Sequence, residues 1–249
     1  MRVAAVYDIH GNLPALEAVL HEIREAAVDL IVIGGDVLPG PMPDEALDRL
    51  ARIEIPAVCI LGNGEREVLA VLDGAESTGV PEAYRPVMHW VAQRLQPEHV
   101  RWITAWPPTA TVNVTGLGEV HFCHATPRSD TEVFTSLTPD ARLLPAFAGV
   151  SSPLIVCGHT HMQFDRRVGA LRIINAGSVG MPFGPPGAYW LVLEAGMVAL
   201  RHTAYDLSAA AERVRATDYP QAADFAANNI LNPPSEERML DVFTRASQA

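Results

Sequence analysis

The chain has 249 residues, a formal net charge of −11, 49% apolar residues and 19% charged ones, which fits a folded chain with a sizeable core and excludes a disordered or fibrous one. The acidic surplus argues against a surface for long nucleic acids, whose phosphates must be neutralised by Lys and Arg. No apolar run reaches the roughly 18 residues of a membrane span, and a first strand starting at Arg2 leaves no room for a signal peptide, so no membrane contact is expected and the cytoplasm is the expected compartment.

Val3 to Tyr7 is a short apolar run of the kind that forms a strand buried on both faces. It ends in Asp8-Ile9-His10-Gly11, after which Asn12 can cap a helix carrying Pro14 in its first turn and Leu13, Leu16, Leu20 and Ile23 at helical spacing. The unit recurs. Leu30 to Ile33 leads into Gly34-Gly35-Asp36, a turn with Pro39, Pro41 and Pro43, and a helix predicted over Glu45 to Ile53. Ala57 to Leu61 leads into Gly62-Asn63-Gly64-Glu65 and a helix predicted over Val68 to Leu72. Repeated strand-helix units of this size imply parallel strands with right-handed crossovers.

Residues 74–108 read as a helical insert, with Tyr84, Trp90, Trp102 and Trp106 across helices at Pro81 to Leu95 and Pro97 to Trp106. Two uses of it stay open, a wall of a pocket or a cover for a sheet edge. From Thr109 the reading is mostly strand: Thr109 to Val114, Glu119 to Cys123 ending in His124, Leu154 to Cys157 ending in Gly158-His159-Thr160-His161, then Gln163 to Val168, Ala170 to Asn175, Tyr189 to Glu194 and Met197 to Thr203. Tight turns at the intervening glycines predict a second sheet with antiparallel pairs. Residues 206–249 read as closing helices, at Ser208 to Ala216 and on either side of Pro233-Pro234. No linker or charge block divides the sequence, so one domain over 1–249 is expected. Cys59, Cys123 and Cys157 lack metal or disulfide spacing and read as small core residues.

Five of these strands end in residues that are hard to bury and good at holding metals. In open α/β sheets ligands bind beyond the carboxyl ends of the strands, so Asp8, His10, Asp36, Asn63, His124, His159 and His161 are expected on one rim. Carboxylate, imidazole and amide oxygen together suit borderline divalent ions, manganese first and iron, zinc, nickel or cobalt as alternatives, whereas magnesium or calcium would favour oxygen alone. Seven donors exceed the needs of one tetrahedral ion and fit two. Paired dications only partly neutralised by Asp8 and Asp36 would attract a small phosphorylated substrate, and such pairs suit phosphoester hydrolysis.

These blocks, in this order, resemble the calcineurin-like metallophosphoesterase superfamily, whose motifs run D-x-H, G-D, G-N-H-D or a variant, H, and G-H-x-H; the likeness extends over residues 1 to about 205 and includes a compact bacterial segment like Gly177-Ser178-Val179-Gly180. The resemblance implies an α/β fold, a four-layer αββα sandwich of two mixed β-sheets. It also implies that Asp8, His10 and His161 hold one ion, that Asn63, His124 and His159 hold the other, and that Asp36 bridges them. A bridging hydroxide would be the nucleophile. Asn63 and His124 would lie near the phosphate, with Arg128 as a further phosphate contact; Asp36, Asn63 and His124 are thus the residues expected at the reaction.

Two departures from the family pattern stand out. Gly64 occupies the position where many relatives carry the histidine credited with protonating the leaving group, and Phe183 stands where compact relatives often carry Arg. General acid catalysis is worth about 10²- to 10⁴-fold. Its loss implies either another donor, such as His89 or His99 from the insert, or substrates that need little help; restoring it by Gly64→His would then favour poor leaving groups. Without the cation at the position of Phe183, an inference of a substrate with several charges loses support. Rival expectations are a nuclease or cyclic-nucleotide phosphodiesterase and, from another class, a non-catalytic protein-binding scaffold. Asn175, Ser178 and Glu65 are candidates for orienting a ligand. The oligomeric state has no signature in the sequence.

Overall fold

Alternation along the short apolar runs separates one core from another. In the computed structural model, which describes residues 1–75 and 80–246, β1 (Val3–Val6), β2 (Leu30–Ile33) and β3 (Ala57–Cys59) form the parallel half of a five-stranded sheet. β9 (Ala188–Glu194) pairs antiparallel with β1, and β10 (Met197–Thr203) with β9, giving the order β10-β9-β1-β2-β3. The second sheet runs β4-β5-β6-β8-β7, built from Thr109–Val114, Gly118–Cys123, Leu154–Cys157, Leu171–Asn175 and Phe164–Val168. Its centre is parallel and its outer pairs are antiparallel.

Successive strand residues point to opposite faces. Val3, Ala5 and Tyr7 therefore meet Val120, Phe122, Leu154 and Val156 in a core between the sheets. Ala4 and Val6 face the other way, onto α1 (Leu13–Glu25) and α2 (Pro43–Ala51) through Leu16, Leu20 and Leu47. On the outside of the second sheet, Cys123, Ile155 and Cys157 pack against Leu143, Ala146 and Phe147. The result is the four-layer αββα sandwich of two mixed β-sheets. Tyr7 is fully buried between the sheets and donates its hydroxyl to the Val156 carbonyl at 3.1 Å, so even this large side chain leaves no orphaned donor.

Several boundaries differ from the sequence reading, for local reasons. α3 spans Asn63–Leu72, five residues longer at its start than predicted, because Glu65 accepts the Gly62 backbone N–H at 3.0 Å and closes the first turn. β3 stops at Cys59, since two residues on the Leu61 N–H donates to Pro107 outside the sheet. The insert contains α4 (Arg85–Arg94) and α5 (Pro97–Thr104), while its residues 76–79 lie outside the described ones. Beyond the sheets come α6 (Asp140–Leu143, between β5 and β6), α7 (Leu207–Arg215), α8 (Ala222–Phe225), a π-helical turn at Ala226–Leu231 and α9 (Glu236–Ala246), with 247–249 again outside the description. Among the described residues, no helix is long and apolar enough to cross a membrane. Cys123 and Cys157 are buried and Cys59 half-buried, all three as free thiols.

Candidate metal centre

The loops leaving β1, β2, β5 and β6 are laced together beyond the ends of the ladders. Asp8 N–H donates to Gly35, His10 N–H to Asp36, Gly11 N–H to Val37 and Gly158 N–H to His124, all to backbone carbonyls at 2.8–3.1 Å. Within these loops the chain turns sharply: Asp8, His10, Asp36, His159 and His161 all have φ between 47° and 67°. They are five of the seven non-glycine residues with positive φ among the described residues. Each such conformation costs about 1 kcal/mol or more and persists where the surroundings over-determine it, as at functional sites. Asn175 and Ser178 supply part of that restraint. Asn175 donates to the Gly158 carbonyl at 2.6 Å and to Thr160 Oγ1 at 3.1 Å, and Ser178 donates to the Asp8 carbonyl at 2.7 Å.

Two clusters of donor atoms result, Asp8 with His10 and His161, and Asp36 with His124 and His159. Asp36 faces both, with Oδ1 3.4 Å from His124 Nε2 and Oδ2 3.8 Å from His10 Nε2. Asn63 Oδ1 lies 3.1 Å from His124 Nε2. The structure thus brings together all seven side chains that the sequence analysis expected on one rim.

The donor chemistry calls for cations. His10 Nδ1, His124 Nδ1 and His161 Nδ1 lie 3.2, 2.9 and 2.7 Å from the carbonyls of Pro39, Gly34 and Met181. A proton on each Nδ1 satisfies those contacts and leaves the Nε2 lone pairs aimed inward. His10 Nε2 and His161 Nε2 then approach to 3.2 Å. Two lone pairs hold that distance only with a cation or a proton between them. Asp8 is fully buried, and its Oδ2 accepts the His159 N–H at 2.9 Å while Oδ1 makes no well-formed hydrogen bond and faces only imidazole nitrogens, His161 Nε2 at 3.4 Å and His124 Nε2 at 3.9 Å. An orphaned buried carboxylate oxygen is costly, and a metal at that point removes the cost. The residues present therefore fit divalent ions.

In the ion-free chain, protons take the cations' place. Burial opposes a charge on His124, but the carboxylates of Asp36 and Asp8 outweigh it and push its pKa up to about 10. His161 is likewise raised against its burial, by Asp8. Burial pushes His159 down to about 4, helped by the positive His124, and lowers His10 as well, helped by His161. Despite burial, Asp8 and Asp36 are held below the ordinary carboxylate value by the imidazoles around them.

Glu65 is the support that the residue pattern only hinted at. It is fully buried, accepting the N–H groups of Asp36 and Gly62 on Oε2 and that of Leu38 on Oε1, at 2.8, 3.0 and 2.9 Å. Burial and the charge of Asp36 raise its pKa to about 7. Three incoming donors need an acceptor at both oxygens. Glu65→Gln should therefore set an amide N–H against the Leu38 or Asp36 N–H, destabilise the fold by about 1–3 kcal/mol and loosen metal binding; unchanged thermal denaturation and metal content would refute this.

Gly64 corrects an expectation. Its N–H donates to Asp36 Oδ1 at 2.7 Å, and a Cβ there would lie 2.1 Å from the Leu38 carbonyl oxygen. The loop after β2 fills the space a histidine would need, so Gly64→His cannot simply restore an acid. The expected outcome is lower activity on every substrate and a stability loss of about 1–3 kcal/mol, checked by turnover and thermal denaturation together. Neither insert histidine replaces it. His99 is buried away from the centre, with Nε2 2.9 Å from Asp48 Oδ1, and His89 is exposed on α4.

A cavity of about 500 Å³ opens on the centre at His10, Asp36 and Asn63. The insert lines it with Val80, Tyr84, Val87 and Met88, so the segment does form a wall of a pocket, while its Val91, Ile103 and Trp106 pack into the core beside the edge strand β3. Tyr219, Asp224, Phe225 and Asn228 line it as well; they belong to the C-terminal segment read as closing helices, and no motif marks them. Arg128 is not there. It lines a second cavity of about 370 Å³ beside His124, where its guanidinium donates to Glu132, with Nε at 3.0 Å, and to the Pro145 carbonyl at 3.4 Å. Phe183 stacks on the His161 ring at 5.2 Å between centroids.

Among known proteins, the chain is similar to a metallophosphoesterase from Sphaerobacter thermophilus, with a TM-score of 0.71 and 26% identity over 91% of this chain and 98% of that one. A structure from Pyrococcus horikoshii aligns with a TM-score of 0.77 at 19% identity, covering 94% and 99% of the two chains, which shows the shared fold. An uncharacterised protein of Methanocaldococcus jannaschii is 28% identical over 197 residues, 72% of this chain and 76% of that protein. The calcineurin-like phosphoesterase superfamily domain matches residues 1–196, and with the αββα sandwich and the donor clusters in place the chain belongs to that superfamily.

Proposed function

We propose that the protein is a dinuclear metal-dependent phosphoesterase acting on a small phosphomonoester or phosphodiester. The observation that carries the reading is the buried Asp8 oxygen without a well-formed hydrogen bond, set among imidazole nitrogens whose outer Nδ1 atoms face backbone carbonyls. Asp8, His10 and His161 would hold one ion and Asn63, His124 and His159 the other, with Asp36, which lies between the two clusters, serving both. The mixed nitrogen and oxygen donors suit borderline divalent ions, manganese being the ion proposed first, with iron, zinc, nickel and cobalt as alternatives. When bound, the two ions supply Lewis acidity and activation of water near neutral pH.

The chain's own residues set the rest. Asn63 can keep its carbonyl oxygen on an ion while its NH₂ group donates to a phosphate oxygen. His124, with its Nδ1 anchored on Gly34, is fixed in orientation beside it. Arg128 can reach an anion only by leaving Glu132, which makes it a secondary contact. With Gly64 closed to a side chain and both insert histidines elsewhere, solvent must protonate the leaving group. Turnover should then depend steeply on leaving-group acidity.

Purified protein loaded with manganese is expected to carry two ions per chain and to hydrolyse 4-nitrophenyl phosphate, bis(4-nitrophenyl) phosphate or both. Whichever is preferred decides between monoesterase and diesterase. Two bound ions with no turnover across monoesters, diesters and cyclic nucleotides would favour the scaffold reading instead.

A further inference from the structure

We infer that the cavity over the metal centre selects a singly phosphorylated ester whose alcohol is uncharged and aromatic and offers hydrogen-bond donors at its outer edge. The inference rests on the metal centre holding the phosphate, as proposed above, and adds what the rest of the ligand must be. Its walls come from two segments tied to each other. The Gln221 amide donates to the Ala83 carbonyl at 3.1 Å, and the Trp90 and Tyr219 rings meet edge to face at 5.3 Å. One of these walls belongs to residues 219–239, outside the stretch matched by the family.

The chemistry of the lining does the selecting. Among the described residues that line the cavity there is no Lys or Arg, although the centre itself is built to receive a phosphate. A second phosphate on the ligand would find no cation there, and it would find Asp224. Neither arginine of α4, Arg85 or Arg94, lines the cavity, and Arg94 is taken up by Asp44 at 3.0 Å and Asp218 at 3.4 Å. Phe183 removes a further positive position by presenting a ring instead. What remains is aromatic and thioether surface from Tyr84, Phe225, Met88 and Met239.

Tyr84 is 49% exposed at the mouth, and its ring packs on no other aromatic ring among the described residues, so one face is free to stack. Farther out, Asp224 Oδ1 accepts the Asn228 amide at 2.7 Å and leaves Oδ2 for an N–H or O–H of the ligand. A volume of about 500 Å³ accommodates a fused ring with a sugar-sized spacer. A short polyol phosphate would leave the apolar walls wet. A nucleoside monophosphate is the simplest compound of this class.

Adenosine 5′-monophosphate, adenosine 3′,5′-bisphosphate and ribose 5-phosphate should be titrated calorimetrically into the manganese-loaded protein and tested as competitors of 4-nitrophenyl phosphate. The monophosphate is expected to bind about tenfold more tightly than either of the others. In Asp224→Lys the penalty on the bisphosphate should shrink by about tenfold, while Asp224→Asn should weaken the monophosphate and relieve only the part of the penalty that comes from like-charge repulsion. Equal or tighter binding of the bisphosphate, or ribose 5-phosphate matching the monophosphate, would overturn the inference and leave the phosphoesterase reading intact. Failure of the protein to take up manganese, with adenosine 5′-monophosphate still bound, would sink the metal reading and keep the aromatic cavity.

Discussion

Asp36→Asn is expected to abolish binding of at least one ion per chain and to lower kcat/KM by about 10³-fold or more. Asp36 is 4% exposed and turns one oxygen to each donor cluster. The amide is nearly the same size and can still accept the Gly64 N–H now made to Oδ1. What changes is charge and donor type: an NH₂ group would face His10 and cannot coordinate. Circular dichroism should show an intact fold while elemental analysis shows the missing metal. Because Asp36 is also the main source of the raised His124 pKa, the variant's His124 should titrate lower in the ion-free state. Activity near the wild-type level would overturn the two-ion assignment.

The second large effect is the coupling of metal, protons and stability. Saturating both sites at about a thousandfold the Kd adds roughly 4 kcal/mol per site, so the midpoint of thermal unfolding should rise by about 15–30 °C for a chain of this length. The pH dependence follows from the shifted groups. His124 is raised from 6.5 to about 10 in the folded ion-free chain, so the stability it supplies is complete below pH 6.5 and is lost as pH rises toward 10. Asp8 and Asp36 are held low, and their contribution is present above about pH 4 and lost as acid protonates them. His10 and His159, buried and held low, cost stability as pH falls below 6.5, and the raised Glu65 offsets only part of this, so the ion-free protein should be most stable close to pH 6.5.

Metal binding must expel the His124 proton at any pH below about 10, which strengthens the apparent affinity about tenfold per pH unit for each proton displaced. The gain in unfolding temperature on adding a fixed concentration of manganese should accordingly grow from pH 6 to pH 8. Calorimetry in buffers of different ionisation enthalpy would count the protons released. A gain that does not change with pH would show that these imidazoles are not the ligands.

Much of the fold was legible because its signals are local. Leu30 to Ile33 and Leu154 to Cys157 were legible with the bounds they have in the structure, since β-branched and apolar residues there run without interruption between turn residues. Asn12 was readable as a cap, and its side chain does accept the Ala15 N–H at 3.3 Å. The start of α3 was missed because Gly62-Asn63-Gly64 looks like a turn; the helix there depends on Glu65 meeting a loop that lies 27 residues earlier in the chain.

The amino-acid order by itself determined which polar side chains stand at the ends of buried strands, because a two-residue period and an apolar run are written in neighbouring positions. Only the tertiary structure decided what those side chains and their neighbours meet. The Leu38 carbonyl blocks a side chain at Gly64, the left-handed turns of Asp8, His10, Asp36, His159 and His161 aim their donors inward, and residues from 219 onward wall the cavity above a centre built from residues 8 to 161. Such contacts join segments far apart in sequence, so each partner taken alone carries no trace of the other.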